Sequence, residues 1–512
     1  METTKLPRRD RTLYNMNIQH GCHKDPNLYP FSEYKDMPLP KTQGLSIDGV
    51  VAFQPLLDEM SNSFLHRVVY VLNHYRLPYF EWSFGNVLVF VLYLCLNILC
   101  LYFAPDRSFG HGWGSLAAFN TTLLIIPATR NSILTLGLGL PFDHVIVHHR
   151  FFGRFTILCV VIHFIYFISS YRLEPFVYVT GLGAMCCGFI IVVSSLDYVR
   201  RKYFNVFYWS HYSFVGYLVL GYFHCSQTKP FILAGICLYL LDKVLRCIWM
   251  ISPLRMTKFL AKGCVAQVRF HKSPITKFLK MHHVGQYYFV NFPALSLTEW
   301  HPFSVSSNPR EDEVELHIRA LGDHTSKIVD LCKERENRIP TWICIDGPYG
   351  LQDFNFRRYP MMLLAGGGIG VTPIMSMLKD VYDIGICVEK EKMIAHAMKT
   401  IYFMWVMPNI GDYECFRKEI DEIVSKSKDP KYPKLDISIY ITRSKEVLEH
   451  PFISGRPQIS QIFQKMVINH RNKSGLVFAC GPGPMVAELW DHSIQYTLNG
   501  TRIDFHHEIF EF

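Results

Sequence analysis

Charge is scarce in this chain. Of its 512 residues, 19% are Asp, Glu, Lys or Arg, against about a quarter in an ordinary globular protein. Hydrophobic residues make up 49%, and aromatic residues 14% of the whole. That balance excludes a wholly soluble protein, and the charge that remains excludes a bare membrane bundle. Cysteine is present fifteen times, but never in a CxxC pair and in no even framework. A zinc ribbon and a disulfide-stapled scaffold are therefore excluded. Several cysteines, such as Cys186 and Cys187, lie inside apolar runs, so reduced thiols are expected. The polar stretch 1–80 lacks an Asp-rich calcium loop of the EF-hand type, which argues against that one form of built-in control. The opening METTKLPRRD lacks the apolar core of a signal peptide, so no cleaved leader is expected. The first apolar span would serve as the insertion signal. There is no internal repeat and no low-complexity tract.

A net charge of +9 does not point to nucleic acid. Arg200, Arg201 and Lys202, then Arg255, Lys258 and Lys262, gather where apolar segments end, as the positive-inside bias requires of cytoplasmic loops. The apolar content is concentrated before residue 252, so a membrane half precedes a soluble half. Four segments follow from this: a cytoplasmic N-terminal stretch (1–80), a six-span membrane domain (81–252), a β-barrel domain (253–355) and an α/β domain (356–512). The spans are expected at 82–104, 115–136, 151–170, 176–196, 206–224 and 231–250. Each is close to the length of about 20 residues that a bilayer needs. Arg130 falls in the second, and Asp242, Lys243 and Arg246 in the sixth. Those charges require the inner interface, a cofactor or a partner.

Four histidines stand out in the spans. His149 and His163 are 14 apart in HHRFFGRFTILCVVIHF, and His211 and His224 are 13 apart in YWSHYSFVGYLVLGYFHC. Along a helix those gaps are about 21 Å and roughly 19.5 Å. Both spacings are read as returning close to one helix face. A lone membrane histidine is most often satisfied by a neighbouring helix. Two matched pairs on two segments instead offer two bis-imidazole sites stacked through the bilayer, suited to two haems. His148 competes with His149, but no histidine lies at the matching offset. With the N-terminus inside, His149 and His211 fall toward the cytoplasm, and His163 and His224 toward the exterior.

From residue 255 the pattern changes. CVAQVRF, GQYYFVNF and EVELHIRA alternate apolar and polar residues, as half-buried strands do, and predict a small antiparallel barrel. From Tyr359 strands alternate with helices: MMLLAG then TPIMSMLKD, TIYFMWV then CFRKEIDEIVS, LDISIYIT, and GLVFACG then MVAELWDHS. That is the doubly wound α/β pattern. Its AGGGIGVTP turn (365–373) follows a strand and opens a helix, where glycines admit a dinucleotide phosphate and the helix dipole favours its charge. Many α/β turns carry a glycine cluster, so position is what gives this one weight.

Further motifs are EWHPFSVSSNP (299–309), LHIRALGDHT (316–325), DGPYG (346–350), FACGPGPM (478–485) and PATRN (127–131) in the second span. With the histidine spacing, these make residues 85–512 resemble the flavocytochrome superfamily of NADPH oxidases and ferric reductases. The resemblance implies a ferredoxin-reductase-like module behind the membrane domain. It puts His301, Pro302, Phe303 and Ser304 along the isoalloxazine and ribityl of FAD. His317 and Arg319 then belong to a second flavin segment, with Arg319 toward the pyrophosphate and Thr325 and Ser326 capping a helix. Gly366, Gly367, Gly368, Gly370, Thr372 and Pro373 would hold the nucleotide, with Cys480, Gly481 and Pro482 near the nicotinamide. The terminal Phe512, in DFHHEIFEF, would stack on the flavin and yield to nicotinamide. His149, His163, His211 and His224 would hold two b-type haems.

One departure concerns the coenzyme. Where the family has an Arg for the NADPH 2′-phosphate, the strand reads WVMPN with Pro408. Arg443 in ITRS and Arg456 in GRP are the substitutes, and NADH remains an alternative to NADPH. The implied reaction carries electrons from NADPH through FAD and two haems to an acceptor across the bilayer. EWHPFS, LHIRALGDHT and IIPATRN favour oxygen, giving superoxide. HRFFGR and HHEIFEF favour a ferric chelate. A degenerate, non-enzymatic membrane scaffold is a third reading, against which the four histidines and both glycine motifs stand. The implied setting is the plasma membrane, with the N-terminus and reductase module cytoplasmic and with regulatory subunits as candidate partners.

Overall fold

The computed structural model describes residues 84–104, 108–137, 140, 142–168, 174–250, 254–273, 283–335, 342–350, 356–386, 397–444, 450–469, 474–498 and 500–508. The N-terminal stretch 1–80 and Phe512 lie outside the described residues. The described chain falls into two compact units that part between Ile251 and Ser252.

The first unit is helical: α1 (Phe84–Tyr102), α2 (Phe109–Leu123), α3 (Phe142–Ile168), α4 (Pro175–Ser194), α5 (Asp197–Lys202), α6 (Phe204–His211), α7 (Ser213–His224) and α8 (Lys229–Met250). Its polarity is inverted. α1 buries Asn86, Tyr93 and Asn97 and exposes Leu92, Leu94, Ile98 and Leu99, the arrangement expected of a helix whose outer solvent is lipid. Side-chain amides of Asn97 and Asn120 bond α1 to α2. The Thr122 hydroxyl donates to the Phe231 carbonyl of α8 at 2.6 Å.

Three helices among the described residues are long and apolar enough to cross a membrane: Phe84–Tyr102, Val145–Ile168 and Pro175–Ser194. The other expected spans differ in form. The second, expected at 115–136, stops as α-helix at Leu123 and continues as a 3-10 turn, Ile126–Ala128. Pro127 is the reason, because its ring clashes with the carbonyl four residues back, that of Leu123. Arg130 thus sits in irregular chain. α3 begins at Phe142, well before the expected edge at 151, so His149 lies within a helix and not at a loop edge. The fifth span is divided at Tyr212 into α6 and α7. A spacing of thirteen is about 3.6 turns. On an unbroken helix, His224 would face nearly opposite to His211, so the expected shared face is incorrect there, and the break at Tyr212 makes up the difference. α8 carries Asp242, Lys243 and Arg246 along its length. Asp242 is buried, accepts from Asn131 at 2.9 and 3.2 Å, and lies 3.9 Å from Arg246.

The second unit has two sheets. The first is antiparallel in the order β4-β3-β6-β1-β2-β5, with β1 Leu254–Lys262, β2 Val265–His271, β3 Tyr287–Asn291, β4 His301–Ser304, β5 Glu313–Arg319 and β6 Trp342–Tyr349. A bridge from Val305 to Leu316 closes it into a barrel, and α9 (Asp323–Glu334) packs against it. The barrel is filled by Val268, Phe270, Tyr288, Val290, Leu316 and Ile318. These recur at every second position, as the pleat dictates. The other sheet is parallel throughout, in the order β10-β9-β8-β7-β11-β12. Its elements are β7 Met361–Gly367, α10 Val371–Val381, β8 Thr400–Met407, α11 Arg417–Lys426, β9 Lys434–Ile441, β10 Phe452–Ser454, α12 Ile459–Asn469, β11 Gly475–Cys480, α13 Gly483–Leu498 and β12 Ile503–Glu508. Met362 and Leu364 face one core, Met361, Leu363 and Ala365 the other. Both faces are covered, which is why these strands read as continuous apolar runs.

Candidate functional site

In the membrane unit the four histidines meet as two pairs. The rings of His149 (α3) and His211 (α6) have centroids 6.2 Å apart, and those of His163 (α3) and His224 (α7) 6.1 Å apart. An imidazole nitrogen bonds a first-row metal at about 2.0 Å, so two rings gripping one metal from opposite sides have centroids about 6.3 Å apart. Both pairs meet that spacing, so the donor set fits a bis-imidazole iron. The ring partners also fit. His149 Nδ1 lies 2.8 Å from the Leu124 carbonyl, His163 Nδ1 2.8 Å from that of Gly110, and His224 Nδ1 3.0 Å from that of Val177. A carbonyl only accepts, so each of these Nδ1 atoms carries the proton and each Nε2 keeps a lone pair for a metal. His211 differs, its Nδ1 lying 3.3 Å from the Ser195 hydroxyl. His148 faces elsewhere, with Nε2 3.0 Å from Asn86 Oδ1 on α1.

Small residues make room for the rings. A Cβ on Gly114 would come 2.7 Å from His163 Nδ1, and one on Gly181 2.7 Å from His224 Cε1. The sequence reading did not single out either glycine. In GHGWGS and VTGLGA they look like ordinary membrane-helix small residues.

In the reductase unit the strand order reverses between β7 and β11, and a crevice beyond the carboxyl ends of such strands is where nucleotides bind. Both glycine turns lie at that point. A Cβ on Gly370 would come 2.4 Å from the Cys480 carbonyl oxygen, and one on Gly367 2.5 Å from Pro482 Cδ and 3.1 Å from Gly481 Cα. Gly366, Gly367, Gly368, Gly370, Gly481 and Pro482 are thus brought together, and Val371, Thr372 and Pro373 open α10 beside them. Gly368 has φ +55°, left-handed backbone that favours glycine, and its carbonyl accepts from Trp405 Nε1 at 2.9 Å. Cys480 is buried, and burial first, then Glu508, pushes its thiol pKa well up. A neutral thiol suits a position beside an uncharged ring and not a thiolate nucleophile.

On the barrel, His301 opens β4, with Pro302 and Phe303 half-buried and Ser304 buried. The His301 ring stacks on His324 at 4.1 Å, and His324 Nδ1 is 2.6 Å from Glu299. Among the described residues, His324 Nε2 is buried without a hydrogen-bond partner, and His301 Nε2 faces Glu299 Oε2 at 3.8 Å, beyond hydrogen-bond reach. Burial, then His324, lowers the His301 pKa. Arg319, at the end of β5, pairs with Asp412 at 2.8 Å. Its guanidinium would stand 3.5 Å from a Cβ on Gly368, so it reaches the glycine turn from the barrel side. Thr325 is the third residue of α9, and its hydroxyl accepts from the Leu321 and Gly322 amides at 3.0 Å. His317 is enclosed: its ring lies 4.1 Å from Phe416 and its Nδ1 2.8 Å from the Ser306 hydroxyl. Arg443 and Arg456 follow the ends of β9 and β10, at the edge where Pro408 follows the end of β8.

One constellation was missed in the sequence. Lys379 of α10 and Glu315 of β5 form an ion pair of 2.8 Å, each with 2% or less of its side chain exposed. Arg269 adds a 2.6 Å contact to the same carboxylate. Nearby, Arg310 pairs with Asp380 and Asp383, and Arg357 with Asp380. Asn308 donates to the Lys379 and Ile384 carbonyls at 2.9 and 3.1 Å. These bonds lock the barrel to the parallel-sheet domain. A lysine in SMLKD carries no local signal that its partner is Glu315, far upstream in another domain.

Family models agree with this order of parts. Residues 113–222 match the ferric reductase like transmembrane component, 256–353 an FAD-binding domain and 359–451 the ferric reductase NAD binding domain. Respiratory burst oxidase homolog protein B of Solanum tuberosum is 27% identical, covering 85% of this chain and 64% of its own length. NADPH oxidase 1 of Rattus norvegicus is 26% identical over 60% of this chain and 65% of its own. Ferric reduction oxidase 8, mitochondrial, of Arabidopsis thaliana is 31% identical over 52% of this chain and 39% of its own. The chain therefore spans just under two thirds of the two oxidases. With membrane, flavin and nucleotide segments matched in sequence, the chain belongs to the transmembrane flavocytochrome superfamily of NADPH oxidases and ferric reductases.

Proposed function

We propose that this protein is an NADPH-dependent oxidoreductase that delivers electrons across a membrane to oxygen, giving superoxide. What supports the reading most is the pair of ring separations, 6.2 and 6.1 Å, each sized for one iron between imidazoles. Bound FAD and haem would supply the redox chemistry, namely a hydride acceptor able to give up two single electrons and a proton, and one-electron carriers within the bilayer. The chain's own residues bind and orient. Gly366–Gly370 and Gly481–Pro482 let the nucleotide approach the backbone. Thr372 and Pro373 open the helix whose N-terminus favours its phosphates. His301, Pro302, Phe303 and Ser304 line the flavin. His317 stiffens the strand beneath it, and Arg319 with Thr325 orders the pyrophosphate segment. Cys480 stays neutral beside the nicotinamide, and Phe512 screens the flavin until it arrives. His149 with His211, and His163 with His224, each hold one haem within a bundle of six spans. The coenzyme is NADPH, with Arg443 and Arg456 taking the 2′-phosphate. The membrane is the plasma membrane, with the N-terminus and reductase unit cytoplasmic. Regulatory subunits join from the membrane or the cytosol.

A second reading, ferric-chelate reduction, is favoured by the 31% identity to a protein named ferric reduction oxidase. The deciding experiment reduces the reconstituted full chain with NADPH without oxygen, then admits oxygen or ferric citrate. Superoxide is read as cytochrome c reduction that superoxide dismutase suppresses. Ferric reduction insensitive to dismutase, with no superoxide formed, would overturn the first reading and establish the second.

A further inference from the structure

Ser195 stands apart among the partners of the four histidines. Three imidazoles meet peptide carbonyls at 2.8–3.0 Å. His211 alone meets a side chain, the Ser195 hydroxyl, at 3.3 Å. The elements explain why. His211 is the last residue of α6 and Ser195 caps the carboxyl end of α4, its amide donating to the Ile191 and Val192 carbonyls. The hydroxyl of that capping residue is what faces the ring where α4 ends.

The chemistry differs in two ways. A carbonyl fixes the ring tautomer because it can only accept. A hydroxyl both donates and accepts, so it accepts more weakly here and leaves the proton on Nδ1 less firmly held. A hydrogen bond from Nδ1–H to a strong acceptor pushes electron density onto Nε2 and raises the basicity of the metal-bound nitrogen. Of the four ligands, His211 has the weakest and longest such support.

We propose that Ser195 is a positioning residue that sets the electron-donating strength of His211, and with it the reduction potential of the His149–His211 site alone. This rests on the haem reading above. Losing the hydroxyl weakens donation from His211 and destabilises ferric iron, so the potential rises. A stronger acceptor in its place lowers it. The His163–His224 site is insensitive, because both of its rings bond to backbone.

The test is potentiometric titration of the detergent-solubilised full chain, followed by visible absorption and resolved into two one-electron components. Haem content is read separately as the pyridine haemochrome. Ser195→Ala is expected to move one component upward and leave the other in place. Ser195→Thr, which keeps the hydroxyl, is expected to stay at the wild-type pair of values, and Ser195→Asp to move the same component downward. If both components of Ser195→Ala superimpose on wild type at full haem content, or both shift equally, the inference is overturned while the haem reading stands. If the wild-type chain itself carries no haem, the reading falls and this inference with it. A Ser195→Ala protein that loses one haem is judged on Ser195→Asp, where an unmoved pair of potentials is equally fatal.

Discussion

At the scale of single residues, the tightest constraint is where one backbone passes another. Gly370 is such a point: an added Cβ would lie 2.4 Å from the Cys480 carbonyl oxygen and 2.8 Å from its carbon, and neither backbone atom can rotate away. Gly370→Ala must spread the two turns of the nucleotide crevice. A misplacement near 1 Å costs about a hundredfold in rate, so anaerobic stopped-flow reduction of flavin by NADPH should slow about that much while flavin content holds. Lys379 sets a different constraint. Replacing it with Met leaves the buried Glu315 carboxylate to Arg269 alone, and the loss is bounded by the roughly 3–5 kcal/mol that an uncompensated buried charge costs. Faster amide exchange across Glu313–Arg319 in the full chain would report it; unchanged protection would refute it. Acid should loosen the same strand. Burial, only partly opposed by Glu315, lowers the His317 pKa from 6.5 to about 3. The unfolded strand therefore takes up a proton that the folded one refuses. Stability is fully present above pH 6.5 and falls toward pH 3, by at most about 1.4 kcal/mol per unit. Protection factors at β5, taken against the intrinsic exchange rate at each pH, should fall from pH 7 to 5, and His317→Gln should flatten that fall. Of these residues the glycines were legible, because a turn between strand and helix marks them. Lys379, Glu315 and the enclosed state of His317 were not, since a buried ion pair is made by partners far apart in the chain.

At the scale of elements, the proposed coenzyme preference rests on strand ends. β8 ends at Met407 with Pro408 next in the chain, and a proline offers no guanidinium. β9 runs parallel beside it, and the Arg443 amide, just past the end of β9, donates to the Pro408 carbonyl at 3.3 Å, so a guanidinium from there can serve the same edge. A charge-assisted hydrogen bond is worth about 1.5–3 kcal/mol, so Arg443→Ala should raise KM for NADPH at least about tenfold and leave NADH untouched. Equal specificity constants for the two coenzymes in the wild type would end the NADPH preference. The sheets were legible in part: β2, β3, β5, β7, β8, β9 and β11 stood out as alternating or continuous apolar runs, whereas β1, β6, β10 and β12 did not, and β3, expected to be half-buried, is buried throughout. The membrane helices were legible only in part. Hydropathy sees composition and not hydrogen bonding, so it missed the stop that Pro127 imposes at Leu123 and the break at Tyr212. That break, invisible to spacing alone, lets His211 and His224 meet partners on α3 whose spacing differs from their own.

For the molecule as a whole, the question is whether the two imidazole pairs act in series. Each pair joins α3 to a different helix, His149 to α6 and His163 to α7. The pairs are therefore independent in their ligands though they share a helix, and loss of one ring should empty one site and spare the other. His163→Ala should halve haem content, keep flavin, and keep reduction of the remaining haem by NADPH under anaerobic conditions. Delivery to oxygen or ferric citrate across a sealed proteoliposome should fall to background, because the remaining site lies about 20 Å of helix rise from the lost one. His149→Ala should differ in kind: flavin is reduced by NADPH, but the surviving haem stays oxidised. If both variants behaved alike, with the remaining haem reduced and the acceptor reached in each, the sites would be working in parallel, and a relay ordered along α3 would be wrong.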